Sequence, residues 1–252
     1  MKQRLTQIKG STVRILTGGQ ALGTGFIISR DGLIATCFHV VQHIQAAPNG
    51  QTQINYAPSI EIEFNDGNKL PATVHKSCQN QGFIEALSKD YCILEVKTKN
   101  TVPLPLGTFA DTYEGANIYL CGFPLGINQP VVSIGMFSTK WTTTGYLNQG
   151  STREVPWLDI TMNKGNSGGP IVLIGKEPED DKVIGIASFG LNPFAHSAEE
   201  LIQVVQTFPG NVALMGVDFK KFATLIGEAL ASNSLGVSGC VAIDYLKSKL
   251  GE

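Results

Sequence analysis

The most restrictive feature of this chain is a run of glycines around a single serine, residues 165–170 (GNSGGP). Glycine tolerates backbone angles that other residues avoid and lets another segment approach closely, so this run predicts a sharp turn. Such a turn presents the Ser167 hydroxyl beside backbone N–H groups, which is the arrangement that nucleophilic acyl transfer requires. A plain turn between two strands is the simpler interpretation. Ser167 as a nucleophile therefore depends on a base and an orienting acid elsewhere in the chain.

Short apolar segments separated by turn residues recur along most of the chain and indicate β-strands. They lie at 11–17, 22–29, 33–36, 60–64, 70–76, 91–96, 117–121, 131–141, 157–161, 171–174 and 183–188. Two such sets on either side of a proline-bearing segment predict two β-barrels, over residues 1–100 and 114–195, with a linker at 101–113. Residues 48–59 are polar and rich in turn formers, which favours a surface loop.

The character of the sequence changes after Asn192. Residues 197–200 (SAEE) match a capping box that opens a helix to about Thr207, and Asp218 is a candidate cap for a second helix. Strands are predicted at 212–217 and 237–243, before a final short helix around 245–250. We therefore expect residues 196–252 to form a helical and strand extension packed on the second barrel.

Composition limits the classes of partner and the expected compartment. A net charge of −2 gives no reason to expect nucleic acid or an anionic membrane surface. The five cysteines show no framework spacing, and no apolar run follows the N-terminus, so neither a signal peptide nor a membrane span is expected. These features predict a reducing, cytoplasmic setting with free and mostly buried thiols. No cofactor is expected.

His39 and Asp90 are the candidate base and acid. Of the four histidines, His39 follows an apolar strand candidate and precedes a polar turn, while Asp90 opens the strand at 91–96. Histidine suits a base because its usual pKa of roughly 6.5 lets it exchange protons near neutral pH. Taken singly, each residue has a simpler interpretation, since a lone histidine is more often structural and an aspartate before a strand is more often a turn residue.

In order and context, these segments resemble the trypsin/chymotrypsin superfamily of serine proteases, and in style the HtrA/DegP-like bacterial proteases. The matching runs are 23–26 (GTGF), 35–41 (ATCFHVV), 89–94 (KDYCIL) and 165–170, against family forms GSGF, T-x-x-HVV, D-L-A-V-L and GNSGGP. The resemblance spans roughly residues 11–190. It implies a mostly β fold of two six-stranded antiparallel barrels of the chymotrypsin type.

The resemblance also implies catalytic roles. Ser167 would attack the scissile carbonyl of a polypeptide substrate, His39 would take and return the proton, and Asp90 would orient the imidazole. The backbone N–H groups of Gly165 and Ser167 would form the oxyanion hole.

The substrate-binding residues follow from the same resemblance. Ser188, Phe189 and Gly190 would pair with the substrate backbone and wall the primary pocket, and Thr161 would lie at its floor. A neutral Thr161 beside Met162 favours a small or medium apolar side chain in that pocket. A contribution from the C-terminal segment, for example from Glu199 or Glu200, would change this preference.

Three departures from the family pattern are informative. Asn166 stands where secreted members have the aspartate that receives a new N-terminal ammonium, so we expect the loop to form without N-terminal processing. Cys37 precedes His39, whereas secreted members pair a cysteine just after the histidine, so that disulfide is absent. HtrA-like enzymes normally add a PDZ domain, and we expect none in the segment after Asn192.

Other interpretations stay open. His39 and His43 lie four residues apart, as in helical metal sites, but Val40 stands where zinc proteases have glutamate. Cys37 is a nearby thiol, for which a core position is the simpler interpretation. A silent protease-like binding module, or a protease whose oxyanion loop is ordered only by a regulatory protein partner, are the alternatives of a different functional class. The C-terminal helices would be the docking surface for such a partner.

Overall fold

Two closed antiparallel barrels of six strands each form most of the structure, as the sequence predicted. The computed structural model describes residues 1–46, 52–79, 89–144, 152–191, 195–207, 213–214, 217–231 and 237–251.

The elements alternate short strands with a few short helices. In the first part of the chain they are α1 (Lys2–Gly10), β1 (Thr12–Thr17), β2 (Gln20–Ile27), β3 (Leu33–Thr36), α2 (Phe38–Val41), β4 (Gln42–Ala46), β5 (Thr52–Tyr56), β6 (Ile60–Glu63), β7 (Lys69–Val74), α3 (Lys76–Gln79) and β8 (Cys92–Val96). In the second part they are β9 (Asn117–Gly122), β10 (Val131–Thr144), β11 (Thr152–Asp159), β12 (Pro170–Leu173), β13 (Lys182–Leu191), α4 (Ala195–Thr207), β14 (Ala213–Leu214), β15 (Val217–Asp218), α5 (Phe219–Ala231), β16 (Val237–Ala242) and α6 (Ile243–Leu250). Single 3₁₀ turns lie at Phe109–Asp111, Pro124–Gly126 and Pro178–Asp180.

The first barrel closes in the order β1-β2-β3-β8-β7-β6. Alternation decides which side chains fill it, because successive residues of a strand point to opposite faces. In β6, for example, Ile60 and Ile62 are buried while Glu61 and Glu63 are partly exposed. Buried branched residues of these strands, such as Val13, Ile34 and Ile62, form the core.

The N-terminal helix is fastened to the second barrel. In α1 the Arg4 Nε lies 2.7 Å from Asp181 Oδ2, and Arg4 Nη2 donates to the carbonyl oxygen of Gly175 at 2.9 Å. Ile8 of the same helix is buried in the core. Helix α1, which leads directly into the first barrel, is therefore bound to residues of the second barrel more than 160 positions later in the sequence.

The segment at 48–59, predicted as a surface loop, contains a strand. Tyr56 pairs with Gln42, and the ladder between β4 and β5 runs on to Ala46 and Thr52. The prediction gave most weight to the polar residues and prolines that flank 52–56 and missed the alternation within it. Residues 47–51 lie outside the described part of the chain.

The second barrel closes in the order β10-β11-β16-β13-β12-β9, so its sixth strand comes from far along the chain. The backbone of β16 pairs with β11 at Trp157↔Gly239 and with β13 as far as Leu191↔Val237. The predicted barrel boundary at 195 is therefore too early, because Val237–Ala242 belong to the barrel wall. The reason is physical: β16 is buried and completes the ladder between β11 and β13.

The segment predicted as a linker contacts both barrels. The Leu104 N–H donates to the Ile27 carbonyl at 3.0 Å, and the Gly107 N–H donates to the Val183 carbonyl at 2.9 Å. Leu104 itself is buried. The connection between the barrels is thus packed against them on both sides.

Between β13 and β16 the chain forms a pair of helices, α4 and α5, near the positions expected from the sequence. Of the strand expected at 212–217, the described residues lie in the small ladder of β14 with β15, in which Leu214 pairs with Val217; residues 212 and 215–216 lie outside the described part of the chain. Several apolar side chains of α5 are exposed, namely Phe219, Phe222, Leu225 and Ile226. Within the described ranges, none of the helices is long and apolar enough to cross a bilayer.

Candidate active site

His39 and Asp90 meet at one end of the first barrel. Strand β3 leads through Cys37 into the one-turn helix α2, which carries His39. Asp90 lies two residues before strand β8, most of which is buried. The His39 Nδ1 lies 2.8 Å from Asp90 Oδ2 and 3.0 Å from Oδ1. The backbone N–H of His39 also donates to Oδ1, at 3.0 Å. Asp90 has a φ of 48°, a left-handed conformation that aspartate adopts more easily than most residues.

The pair changes the proton affinities of both groups. Burial lowers the pKa of His39, but the hydrogen bond and the negative charge of Asp90 outweigh it, so that pKa lies above its usual value. Burial raises the pKa of Asp90, but the hydrogen bonds and charge of His39, with a hydrogen bond from Ser188, outweigh it, so that pKa lies below its usual value. An ionised Asp90 beside His39 holds a proton on Nδ1 and leaves Nε2 as the basic nitrogen.

The side chain of Ser188 belongs to this pair. Its hydroxyl donates a short hydrogen bond to Asp90 Oδ2, and the residue is buried. The sequence placed Ser188 among the substrate-binding residues through its resemblance to the family. In the structure its side chain supports the carboxylate, which the sequence alone gave no signal for.

The thiol of Cys37 is buried and hydrogen-bonded. Its Sγ donates to the Ala187 carbonyl at 3.1 Å, and burial, followed by the charge of Asp90, holds its pKa well above the usual value. A thiol in that state is a poor nucleophile, since the thiolate is the reactive form. The core interpretation of Cys37 fits this geometry.

One cluster of potential metal ligands lies within the described residues, and it consists of Cys37, His39 and Asp90. The protonated thiol and the His39–Asp90 hydrogen bonds do not suit a metal site, because metal binding requires a thiolate and a free imidazole nitrogen. The spacing of His39 and His43 does not produce a helical pair either. Helix α2 ends at Val41, and His43 lies in β4.

The nucleophile loop approaches the His39 side of the cleft through β13. The Ala187 carbonyl accepts both the Cys37 thiol and the Gly168 N–H, the latter at 2.7 Å. Cys37, two residues before His39, and Gly168, one residue after Ser167, thus share one acceptor. No hydrogen bond joins the His39 imidazole to the Ser167 hydroxyl among the described residues, and such bonds commonly tighten only when substrate binds.

Two N–H groups of the loop have no acceptor among the described residues. The Asn166 N–H donates to the Asn163 carbonyl at 2.9 Å, and Gly165 has a φ of 100°, as the third residue of a type II turn requires. The Lys164 carbonyl accepts the Leu125 N–H at 2.8 Å, which turns the other end of that peptide unit, the Gly165 N–H, away from Leu125.

The same accounting applies to Ser167. The Asn166 carbonyl accepts the Gly169 N–H at 2.9 Å, so the Ser167 N–H at the opposite end of that peptide unit points away from the loop. Neither the Gly165 N–H nor the Ser167 N–H donates to any residue that the structure describes. These are the two groups that the sequence assigned to the oxyanion hole. Their free donors are what a developing oxyanion requires.

The expected substrate-binding residues lie on β13 and before the loop. Phe189 and Gly190 pair with Gly239 and Ser238 of β16. On its other edge, within the described residues, β13 pairs with β12 only as far as Ile186. That open edge suits an added strand, because an extended peptide binds by continuing a sheet.

The residues expected near the primary pocket differ in exposure. Thr161 is exposed and Met162 is buried, at 3% of its accessible surface. Glu200 lies exposed on α4, and the side chain of Glu199 is outside the described residues.

The sequence of the chain is similar to those of known proteins. A sequence model of the trypsin-like peptidase domain matches residues 23–186. The chain is 33% identical over 174 residues to a probable periplasmic serine endoprotease, DegP-like, of Halomonas elongata, covering 67% of this chain and 29% of that protein. It is 30% identical over 173 residues to the putative protease Do-like 14 of Arabidopsis thaliana (67% and 35%) and 30% identical over 181 residues to the human serine protease HTRA4 (69% and 32%). The matched region thus spans about a third of the length of these relatives.

Proposed function

The chain belongs to the trypsin-like peptidase family, and from that membership we propose that it is a serine endopeptidase that hydrolyses polypeptides through an acyl-enzyme. The observation that carries the proposal is that the N–H groups of Gly165 and Ser167 have no acceptor among the described residues, in a loop that shares the Ala187 carbonyl with the His39 side of the cleft. A hydroxyl, a base and oxyanion donors are the three groups that acyl transfer needs.

The proposed reaction has two halves. Ser167 Oγ attacks the scissile carbonyl while its proton passes to His39 Nε2, and Asp90 stabilises the resulting imidazolium. The oxyanion of the tetrahedral intermediate accepts the N–H groups of Gly165 and Ser167, each donor contributing about 10²–10³ in turnover. His39 then protonates the leaving amine, which departs and leaves the acyl-enzyme. Water, deprotonated by His39, then attacks the acyl carbon; the bond to Ser167 Oγ breaks as His39 returns the proton to Oγ, and the acid is released.

Reaction with a fluorophosphonate probe tests the proposal. We expect covalent labelling of the wild-type chain and none of Ser167→Ala, with Ser248→Ala on the exposed side of α6 as the matched serine control. Circular dichroism checks that the loss is not a loss of folding. A wild-type chain that does not label, with or without candidate activators, favours the alternative of a protease-like binding module.

We further propose that the primary pocket takes a small or medium apolar side chain. Support comes from Thr161, which carries no charge, and from the buried Met162 beside it. A carboxylate at that position would instead favour Lys or Arg. Cleavage of a peptide library tests the preference, and strong cleavage after Lys or Arg alone would overturn it.

A partner-triggered protease is the second candidate, and the exposed apolar side chains of α5 favour it. Phe219, Phe222 and Leu225 lie on a helix in the connection between β13 and β16. Strand β13 carries the expected substrate segment, residues 188–190. Patches of this kind often mark sites of protein interaction. In this proposal a regulatory protein docks on α5 and shifts the loop towards its active form.

We expect the barrel to tolerate removal of the insertion. Leu191 of β13 pairs directly with Val237 of β16, so a short turn can replace the residues between them. We expect this variant to lose its response to the partner. Full wild-type activity of the variant without any partner would count against the regulated form and favour a constitutive enzyme.

We also propose a reducing, cytoplasmic compartment. No disulfide joins any of the five cysteines, which all lie buried among the described residues, and this suits such a setting. The Halomonas relative is described as periplasmic, so the two expectations differ. Fractionation of the producing cells with an antibody against the chain decides between them.

A further inference from the structure

Thr24, in strand β2 of the first barrel, has its hydroxyl and both backbone polar groups hydrogen-bonded, and two of these bonds reach the nucleophile loop. Its Oγ1 donates to the Gly165 carbonyl at 2.6 Å and accepts the Phe123 N–H at 3.1 Å. Its backbone N–H donates to the Ser167 carbonyl at 2.8 Å. Its carbonyl accepts the hydroxyl of Thr36 at 2.7 Å, and Thr24 has 0% of its surface exposed.

These bonds hold the two peptide units on either side of the one that carries the Ser167 N–H. A peptide unit is planar, so fixing its carbonyl fixes the orientation of the whole unit. Thr24 Oγ1 fixes the unit that begins at Gly165, and Thr24 N–H fixes the unit that begins at Ser167. The central unit between them is left with little freedom to rotate.

Thr24 also connects the loop to the strand that delivers the base. The Thr36 hydroxyl, at the end of β3 and three residues before His39, donates to the Thr24 carbonyl. His39 and Ser167 come from different barrels and share no direct hydrogen bond among the described residues. Thr24 therefore stands in the chain of contacts that sets the separation of these two groups.

The packing around Thr24 leaves no slack. Gly168 has a φ of 88°, and a Cβ added there would overlap the carbonyl oxygen of Thr24 and the hydroxyl of Thr36. A small shift of Thr24 is thus transmitted to the loop. A misplacement of about 1 Å in a catalytic group can reduce a rate about a hundredfold.

We propose that Thr24 is a positioning residue that places the Ser167 nucleophile and its N–H donor relative to His39. The proposal rests on the proposed serine-protease function for its catalytic consequence. The hydroxyl is the part of the side chain that does this, since it alone reaches the Gly165 carbonyl.

Thr24→Val removes the hydroxyl and keeps the shape, while Thr24→Ser keeps the hydroxyl. Thr12→Val is the matched control, because Thr12 is equally buried in the neighbouring strand β1 and its Oγ1 donates to the Ile8 carbonyl at 2.7 Å. All are made in the full chain. The measurement is the labelling kinetics of a fluorophosphonate probe, separated into a binding constant and a maximal rate, with thermal unfolding alongside.

For Thr24→Val we expect the maximal labelling rate to fall roughly tenfold to a hundredfold, with the binding constant of the probe within about twofold of wild type. Thr24→Ser should recover to within about threefold. Thr12→Val should lower the unfolding temperature by about as much as Thr24→Val does, and it should leave the labelling rate unchanged. A Thr24→Val protein that labels at the wild-type rate, or a Thr12→Val protein that loses labelling equally, overturns the proposal.

Amide hydrogen exchange keeps the two proposals separable. If the wild-type chain does not label, the proposed function fails, and exchange still decides the role of Thr24. Faster exchange confined to 163–169 in Thr24→Val supports positioning by this residue. Exchange in that segment equal to the Thr12→Val control overturns it.

Discussion

Asp90 is hydrogen-bonded to both the backbone and the ring of His39: one carboxylate oxygen accepts the backbone N–H of His39 at 3.0 Å, and the other lies 2.8 Å from Nδ1 of the ring. We predict that Asp90→Asn loses about 10⁴ in kcat, the scale seen when the acid of a serine-protease triad becomes an amide. The amide cannot stabilise an imidazolium and favours the wrong tautomer. Peptidase assays check this, with the exposed Asp66→Asn as control. A loss below tenfold would show that Asp90 does not serve as the orienting acid.

The same pair sets a pH dependence. Because the pKa of His39 lies above its usual value, and only neutral His39 is a base, activity should fall as the pH drops through a value above about 6.5. Removing the charge of Asp90 should lower the pKa of His39. An NMR titration of the His39 ring in wild type and Asp90→Asn measures both values. Equal values in the two proteins would refute the electrostatic cause.

Gly168→Ala tests the close approach of the loop to the first barrel. The substitution combines a positive φ of 88° with an overlap on the Thr24 carbonyl, so we expect a loss of about 3 kcal/mol or more in the free energy of unfolding. Gly67→Ala is the matched control: its φ is 83° and nothing lies within 4 Å of the added Cβ, so about 1–2 kcal/mol is expected. Urea denaturation measures both. Similar losses in the two variants would mean that the contact at Gly168 is not tight.

Arg4→Met tests the attachment of α1 to the second barrel. The Arg4 and Asp181 side chains are only 13% and 8% exposed, and removing one partner of such a pair leaves a buried charge. We expect a loss of about 2–4 kcal/mol in the free energy of unfolding, measured by urea denaturation. Removal of both groups in Arg4→Met/Asp181→Leu should recover much of it.

The loss from Arg4→Met should depend on pH. Burial raises the pKa of Asp181 even with Arg4 beside it, and without Arg4 that pKa rises further. A carboxyl group whose pKa is raised on folding binds more protons in the folded state, so stability falls as pH rises through that range. The gap between wild type and Arg4→Met should therefore be larger at pH 8 than at pH 5. A gap that shrinks with rising pH would contradict this account.

Much of the fold followed from local pattern. The two barrels were predicted from the succession of short apolar strands and turns, because the alternation of side chains within a strand indicates which face is buried. The segments around His39, Asp90 and Ser167 were each found from a few neighbouring residues. The structure then brings the imidazole of His39 and the carboxylate of Asp90 together, as the resemblance implied.

The remainder depended on contacts that no local pattern contains. The place of β16 in the second barrel is set by pairing with β11 and β13 across a 45-residue excursion. The hydroxyl of Ser188 reaches Asp90 from 98 positions away, and that of Thr24 reaches Gly165 across 141. A serine or threonine in an ordinary strand gives no sign of such a partner, since its hydroxyl accepts many environments.

The late position of β16 also orders events on the ribosome. Domains generally fold as units during synthesis, the N-terminal one first, so the first barrel with His39 and Asp90 can form early. Until Val237–Ala242 emerge, β11 and β13 lack the neighbour that closes the second barrel around the Ser167 loop. The nascent chain therefore carries the candidate base and acid before the candidate nucleophile is in place, and the proposed peptidase activity is expected only once the second barrel has closed.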